Sequence, residues 1–206
     1  MYARYALYFT PPPGPFAQAG AGWFAKDIAE RPRRYGFHAT LKAPFRLSEG
    51  MTEDGLHVAV EDFCARASPV LLGGLEVSQI GPILGLTPLG ETAALTEFAA
   101  QVVESFDPFR APLTDAELAR RRGNGLPKDA EMRLQRWGYP HVMEAFRFHM
   151  TLTGPLPRAE FDQTANEARA HFVRSLCCPI TLDALTLCGE DSAGRFHALA
   201  RFPLSA

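Results

Sequence analysis

A chain of 206 residues with 47% hydrophobic and 21% charged side chains has the composition of a folded globular protein, which excludes disordered and fibrous classes. At this length folding withdraws roughly 70% of the unfolded chain's surface from water, so a core forms without metals or disulfides. Lysine plus arginine number 21 against 23 aspartate plus glutamate, a net charge of −2. That balance excludes long double-stranded nucleic acid as the main partner and leaves room for a small anion.

Of the basic residues 18 are arginine and only Lys26, Lys42 and Lys128 are lysine. Cys64, Cys177, Cys178 and Cys188 show no CxxC spacing, and the adjacent Cys177 and Cys178 cannot bridge each other in relaxed geometry. Free thiols predict a reducing, cytoplasmic location. The apolar run at 5–9 ends at Pro11, Pro12 and Pro13 and is too short for a signal-peptide core, and nothing approaches the ~18 apolar residues of a membrane span.

In chain order, residues 4–10 read as a strand closed by the proline cluster. Residues 15–26 read as a short helix with Phe16, Ala19 and Trp23 on one side. In 35–47, YGFHATLKAPFRL, Phe37, Ala39 and Leu41 alternate with His38, Thr40 and Lys42, the period of a strand. Residues 52–67 predict a helix capped by Thr52, with Leu56, Val60, Phe63 and Ala67 on its apolar side. Two strands, 71–80 and 82–88, follow around Gly81-Pro82. Residues 92–106 repeat Leu95, Phe98, Ala99, Val102, Val103 and Phe106 at helical spacing. The arginine-rich segment 107–141, with the capping box Thr114-x-x-Glu117, predicts short helices laid over the domain as a lid. A strand at 147–153, a helix at 158–172 and a closing hairpin, 180–187 with 195–202, complete the chain.

The order helix, strand bearing His-x-Thr, helix, hairpin occurs twice, with roughly 32 residues from His38 to its hairpin and roughly 31 from His149 to the second. The duplication predicts one α+β domain over 1–206 made of two similar lobes. Lobe 1 covers about 11–90, lobe 2 about 91–106 and 142–206, with the lid inserted at about 107–141. Antiparallel sheets then face a central cleft, with helices outside.

Phe37-His38-Ala39-Thr40-Leu41 and Phe148-His149-Met150-Thr151-Leu152 share the form Phe-His-x-Thr-Leu. Six histidines and 12 threonines predict about 0.35 His-x-Thr tripeptides by chance, so two at equivalent places in a repeat are a signal. Two apart on a strand, His and Thr emerge on one face while Phe and Leu point to the core. That face also carries Lys42 on the first strand, and Arg147 and Thr153 on the second. Two imidazoles, several hydroxyls and two cations suit a phosphodiester. One neutral and one protonated ring supply base and acid near neutral pH, and hydroxyls and cations hold the non-bridging oxygens.

Two such strands in a duplicated α+β chain resemble the two-histidine (2H) phosphoesterase superfamily, which includes RNA 2′,3′-cyclic phosphodiesterases and the LigT-like RNA ligases. YGFHATLKAPFRL and WGYPHVMEAFRFHMTLTGPL further resemble a bacterial branch of proteins of unknown function that are associated with phosphonate metabolism. The resemblance covers nearly the whole chain, with 107–141 particular to the branch. It implies His38 and His149 as the acid and base pair and Thr40 and Thr151 as phosphate holders, with no metal and no cofactor. Lys42, Arg147, Thr153 and Tyr139 are added as substrate contacts from strand spacing and the lid, not from the family motif. The expected activity is metal-independent hydrolysis of a small cyclic phosphate ester of a nucleotide, an RNA end or a sugar, by a monomer that needs no membrane.

Blander readings compete. An isolated strand histidine is usually a satisfied structural residue, but the pairing here argues against that. A zinc site on His38 and His149 lacks HExxH or cysteine spacing. His57, His141, His171 and His197 lack the motif and read as surface or loop residues, with His141 within reach of the cleft. Arg31, Arg33, Arg34 and Arg120-Arg121-Arg122 read as solvated faces, with a grip on a nucleotide's second phosphate as the sharper alternative. Trp137 and Tyr139 read as lid packing before base stacking. Among functions of other classes, a non-catalytic nucleotide-binding module predicts binding without turnover, and an RNA end-processing or ligating factor predicts strongly salt-dependent RNA binding.

Overall fold

The computed structural model describes residues 2–176 and 178–206; the expectation for the Cys177–Cys178 pair therefore lies outside the described residues. The strands are β1 (Tyr5–Phe9), β2 (Ala39–Phe45), β3 (Val70–Leu72), β4 (Leu75–Ile80), β5 (Ile83–Pro88), β6 (Met150–Thr151), β7 (Ile180–Leu182), β8 (Ala184–Glu190) and β9 (Phe196–Pro203). The helices are α1 (Pro15–Phe24), α2 (Glu30–Arg33), α3 (Glu53–Arg66), α4 (Ala93–Ser105), α5 (Asp115–Arg122), α6 (Lys128–Trp137) and α7 (Phe161–Leu176). Seven strands form one antiparallel sheet in the order β4-β5-β6-β2-β1-β8-β9, and β3 and β7 form a small second sheet.

Most elements arise from the local signals that announced them. The run Tyr-Ala-Leu-Tyr-Phe gives a strand buried at all five positions. Its two faces serve two cores: Tyr5, Leu7 and Phe9 join the main one, while Ala6 and Tyr8 pack with Cys188, Phe196 and Tyr35 on the other side. Thr52 caps α3 by accepting from the Gly55 N–H at 3.0 Å, and Leu56, Val60 and Cys64 form the buried stripe expected at a spacing of four. The Thr114–Glu117 capping box starts α5 with both reciprocal bonds in place. Helix α4 packs against β2, α3 against β8 and β9, and α7 against β4. Among the described residues no helix is long and apolar enough to cross a membrane.

Three features depart from expectation. The strand placed at 71–80 is two strands, because Gly73 and Gly74 interrupt it and Gly74 holds a φ of 140° that side chains rarely accept. The strand placed at 147–153 is only Met150–Thr151. The two facing sheets are one sheet, joined where β2 meets β6. Strand pairing also crosses the expected lobe boundary where the hairpin β4-β5 pairs with β6, and the C-terminal hairpin β8-β9 pairs with β1, which precedes lobe 1. Sequence order does not forbid such pairing, because local signals define a strand but not the edge it joins, which tertiary packing decides.

Gly20 in α1 shows how closely the first motif is packed. A Cβ there would lie 2.1 Å from the Phe37 ring, which stacks on Phe172 at 5.8 Å directly behind His38. Gly20→Ala should therefore push Phe37 aside and cost about 1–3 kcal/mol, the usual range for overpacking, measured by urea unfolding. A change within about 0.5 kcal/mol would show that the ring has room to move.

Candidate active site

The two motifs meet through their middle residues. Ala39 of β2 pairs with Met150 of β6 in antiparallel register, and both are fully buried on the core side. Neighbouring positions then alternate to the opposite face, with His38 beside Thr151 and Thr40 beside His149. The cavities agree with that register. His38, Thr40 and Thr151 share a cleft of about 290 Å³, and Thr40 and His149 share an adjoining one of about 350 Å³.

The histidines are oriented alike. His38 Nδ1 is 2.9 Å from the Gly36 carbonyl oxygen and His149 Nδ1 is 2.8 Å from that of Arg147. A carbonyl only accepts, so each Nδ1 carries the proton and donates, which leaves Nε2 as the working nitrogen on the cleft side. The Thr40 hydroxyl donates to His38 Nε2 at 3.1 Å. Tyr8, paired with Thr40 on β1, stacks on the His38 ring with centroids 3.9 Å apart.

The residues expected beside the motifs divide. Tyr139 lines both cavities, where burial raises its pKa. Arg147 reaches the cavity of His149 and spends Nη1 on the Glu144 and Phe146 carbonyls at 3.0 and 2.7 Å. Thr153 is on the expected side, in a pocket with His38 and Thr151, but it is buried and its hydroxyl accepts from the Leu84 N–H at 3.0 Å. Lys42 does not join the site. A bulge sets Tyr8 opposite Thr40 and Leu7 opposite Lys42, so two residues of β2 answer one of β1 and the alternation slips. The Lys42 ammonium, 3% exposed, instead donates to the Val103 carbonyl at 2.9 Å and lies 3.6 Å from Asp107, with burial pulling its pKa down to about 8.

Arg4, Tyr8 and Tyr35 escape sequence reasoning, whereas Arg120 and Arg121, expected as a solvated face or as a grip on a second phosphate, do reach the cleft. Arg4, Tyr8, Tyr35, Arg120 and Arg121 line the space around His38. In the apolar run of β1 both faces look alike, so Tyr8 carries no mark. For α5 the usable signal was the four-residue spacing of Glu117 and Arg121, which puts both on the side that meets β2: Glu117 bonds Arg46, and Arg121 donates to the Pro44 carbonyl at 3.0 Å. His141 lines the His149 cavity, whereas His171 bonds the Ala19 carbonyl at 2.8 Å. Among the described residues no three His, Cys, Asp or Glu side chains gather where they could hold a metal ion.

The antiparallel sheet with helices packed against it is distantly like the fold of LigT. E. coli LigT complexed with 3′-AMP matches with a TM-score of 0.53 at 14% identity, and LigT complexed with NADP+ with 0.52 at 12%, each covering 100% of both chains. Within that fold the chain belongs to the family described as protein of unknown function DUF1045, whose model matches residues 40–197. Two proteins named ribose 1,5-bisphosphate phosphokinase PhnN are also similar. The one from Janthinobacterium sp. (strain Marseille) is 39% identical over 98% of this chain and 51% of its own length; that from Laribacter hongkongensis (strain HLHK9) is 31% identical over 96% and 51%. The chain thus spans about half the length of the curated relatives it matches.

Burial pushes the His38 imidazole down to about 4, with the neighbouring His149 adding to the drop and the Gly36 carbonyl opposing it. An unfolded histidine titrates near 6.5. From about pH 6.5 down to about pH 4 the unfolded chain therefore holds a proton that the folded chain lacks, and stability from this group is lost as pH falls through that window. His38→Gln should accordingly lose less stability than the wild type between about pH 7 and about pH 5 in urea unfolding. Equal losses in both proteins would remove His38 from the acid limb.

Proposed function

We propose that this protein is a phosphodiesterase that opens a small cyclic phosphate ester by acid and base catalysis from His38 and His149, without a metal. The Ala39–Met150 pairing carries the reading, since it sets two imidazoles and two threonine hydroxyls on one face in crossed pairs. Such a set can take a proton from a nucleophile on one side of phosphorus and give one to the leaving oxygen on the other. The LigT-like fold supports it.

His38, kept neutral at physiological pH by burial, is taken as the base, which leaves the acid's role to His149. Water attacks phosphorus and His38 Nε2 takes its proton as the new P–O bond forms. The bond from phosphorus to the ring oxygen breaks, His149 Nε2–H protonates that oxygen, and the product is a phosphomonoester. For this the Thr40 hydroxyl turns from His38 Nε2 to a non-bridging phosphate oxygen, freeing the lone pair. Thr151 serves the other such oxygen, and charge developing there is stabilised by fixed donors. Because the similar curated proteins are named for ribose 1,5-bisphosphate, ribose phosphate esters are the first substrates to test.

Phosphorus NMR in EDTA with 2′,3′-cyclic nucleotides, cyclic-phosphate RNA ends and ribose cyclic phosphates should show ring opening. His38→Ala or His149→Ala should each lower kcat by about 10²- to 10⁴-fold, and full activity in either variant would sink the mechanism. The rate should be bell-shaped in pH with its acid limb near 4, where His38 gains its proton; a limb at the ordinary histidine value would reassign the base. Thr40→Val and Thr151→Val should reduce turnover more than stability, and equal losses would make the hydroxyls structural.

A further inference from the structure

The cleft around His38 has three arginines in its wall, Arg4, Arg120 and Arg121, and no aspartate or glutamate. Arg4 is neutralised by Glu190, with Nε–Oε2 at 2.5 Å and Nη2–Oε1 at 2.6 Å. Arg121 is not. Among the described residues no carboxylate lies within ion-pair distance of it, and its one hydrogen bond is to the Pro44 carbonyl. Its guanidinium sits over the Tyr139 ring at 5.2 Å. Its Nε is shut off from water with no hydrogen-bond partner.

The glutamates of this region are engaged elsewhere: Glu117 with Arg46 at 3.0 Å, and Glu131 with Arg122 at 2.5 Å. The C-terminal end of a helix favours positive charge. That accounts for three arginines closing α5 but not for turning one inward to bury an unpaired N–H, which is costly unless an acceptor arrives. A guanidinium fork matches two oxygens of a phosphate. The site is also built in advance, since the Thr114–Glu117 box and the Arg46–Glu117 pair fix α5 against β2.

We propose that Arg121, supported by Arg120, seats a second anionic group, so that the substrate is a cyclic phosphodiester that also carries a phosphomonoester. This deepens, and rests on, the assignment of His38 and His149 to the cyclic ester. Adenosine 2′,3′-cyclic phosphate and its 5′-phosphorylated counterpart form the probe pair. The wild type should prefer the phosphorylated probe by about tenfold or more in kcat/KM, as expected for a charge-assisted hydrogen bond. In Arg121→Gln that ratio should fall toward one, and Arg121→Lys, which keeps charge but not the fork, should fall between.

A wild-type ratio near one, or a ratio unchanged in Arg121→Gln, overturns the proposal. If neither probe turns over, calorimetric titration with ribose 5-phosphate, with ribose as control, separates the two readings. Binding weakened about tenfold by Arg121→Gln keeps the anion seat and removes the phosphodiesterase. No binding of ribose 5-phosphate beyond that of ribose, or binding indifferent to the substitution, removes the seat. Should Arg121→Gln fail to fold, Arg121→Lys and Arg120→Gln report the same ratio and binding, and no change in either variant overturns the proposal.

Discussion

The site depends on one backbone contact, the bridge between Ala39 and Met150. It joins what would otherwise be two separate sheets, and it does so through the middle residues of the two motifs. Because side chains alternate along a strand, burying those two middle residues turns both histidines and both threonines to the opposite face together. A shift of one residue in either strand would send an imidazole into the core. Packing around the bridge resists such a shift: Gly20 admits the Phe37 ring, and the Trp23 indole donates to the Leu152 carbonyl at 2.9 Å.

The bulge in β2 separates two tasks that a regular strand would have mixed. Thr40 stays on the cleft face, while Lys42 is carried to the helix side, where its ammonium holds the end of α4 through Val103 and meets Asp107. Asp107 also takes Arg110 at 2.8 Å, so the start of the lid segment is tied to the strand that carries the first motif. A lysine that looked like a phosphate contact is thereby a buried tether.

Charge is distributed with similar economy. Arg46, Arg110 and Arg122 find carboxylates nearby, as expected of a chain with nearly balanced charge. Among the described residues neither Arg121 nor the exposed Arg120 has such a partner, and both line the cleft with His38, whose pKa burial lowers. An unpaired cation in the wall of a cleft suits an anionic ligand, because its field draws in negative charge.

How much was legible follows from the range of each interaction. Caps, apolar periodicities and turn residues act within a few positions, so β1, α1, α3, α4 and the Thr114 box could be read directly, and the repeated Phe-His-x-Thr-Leu named the four central side chains. The pairing of the hairpins, the fusion into one sheet and the bulge that removes Lys42 depend on contacts between residues far apart in the chain, which leave no local trace. The sequence by itself determined that a Phe-His-x-Thr-Leu strand motif occurs twice. Tertiary structure alone decided that His38 lies beside Thr151 and that Arg121 turns inward, because strand register and burial are properties of the packed whole.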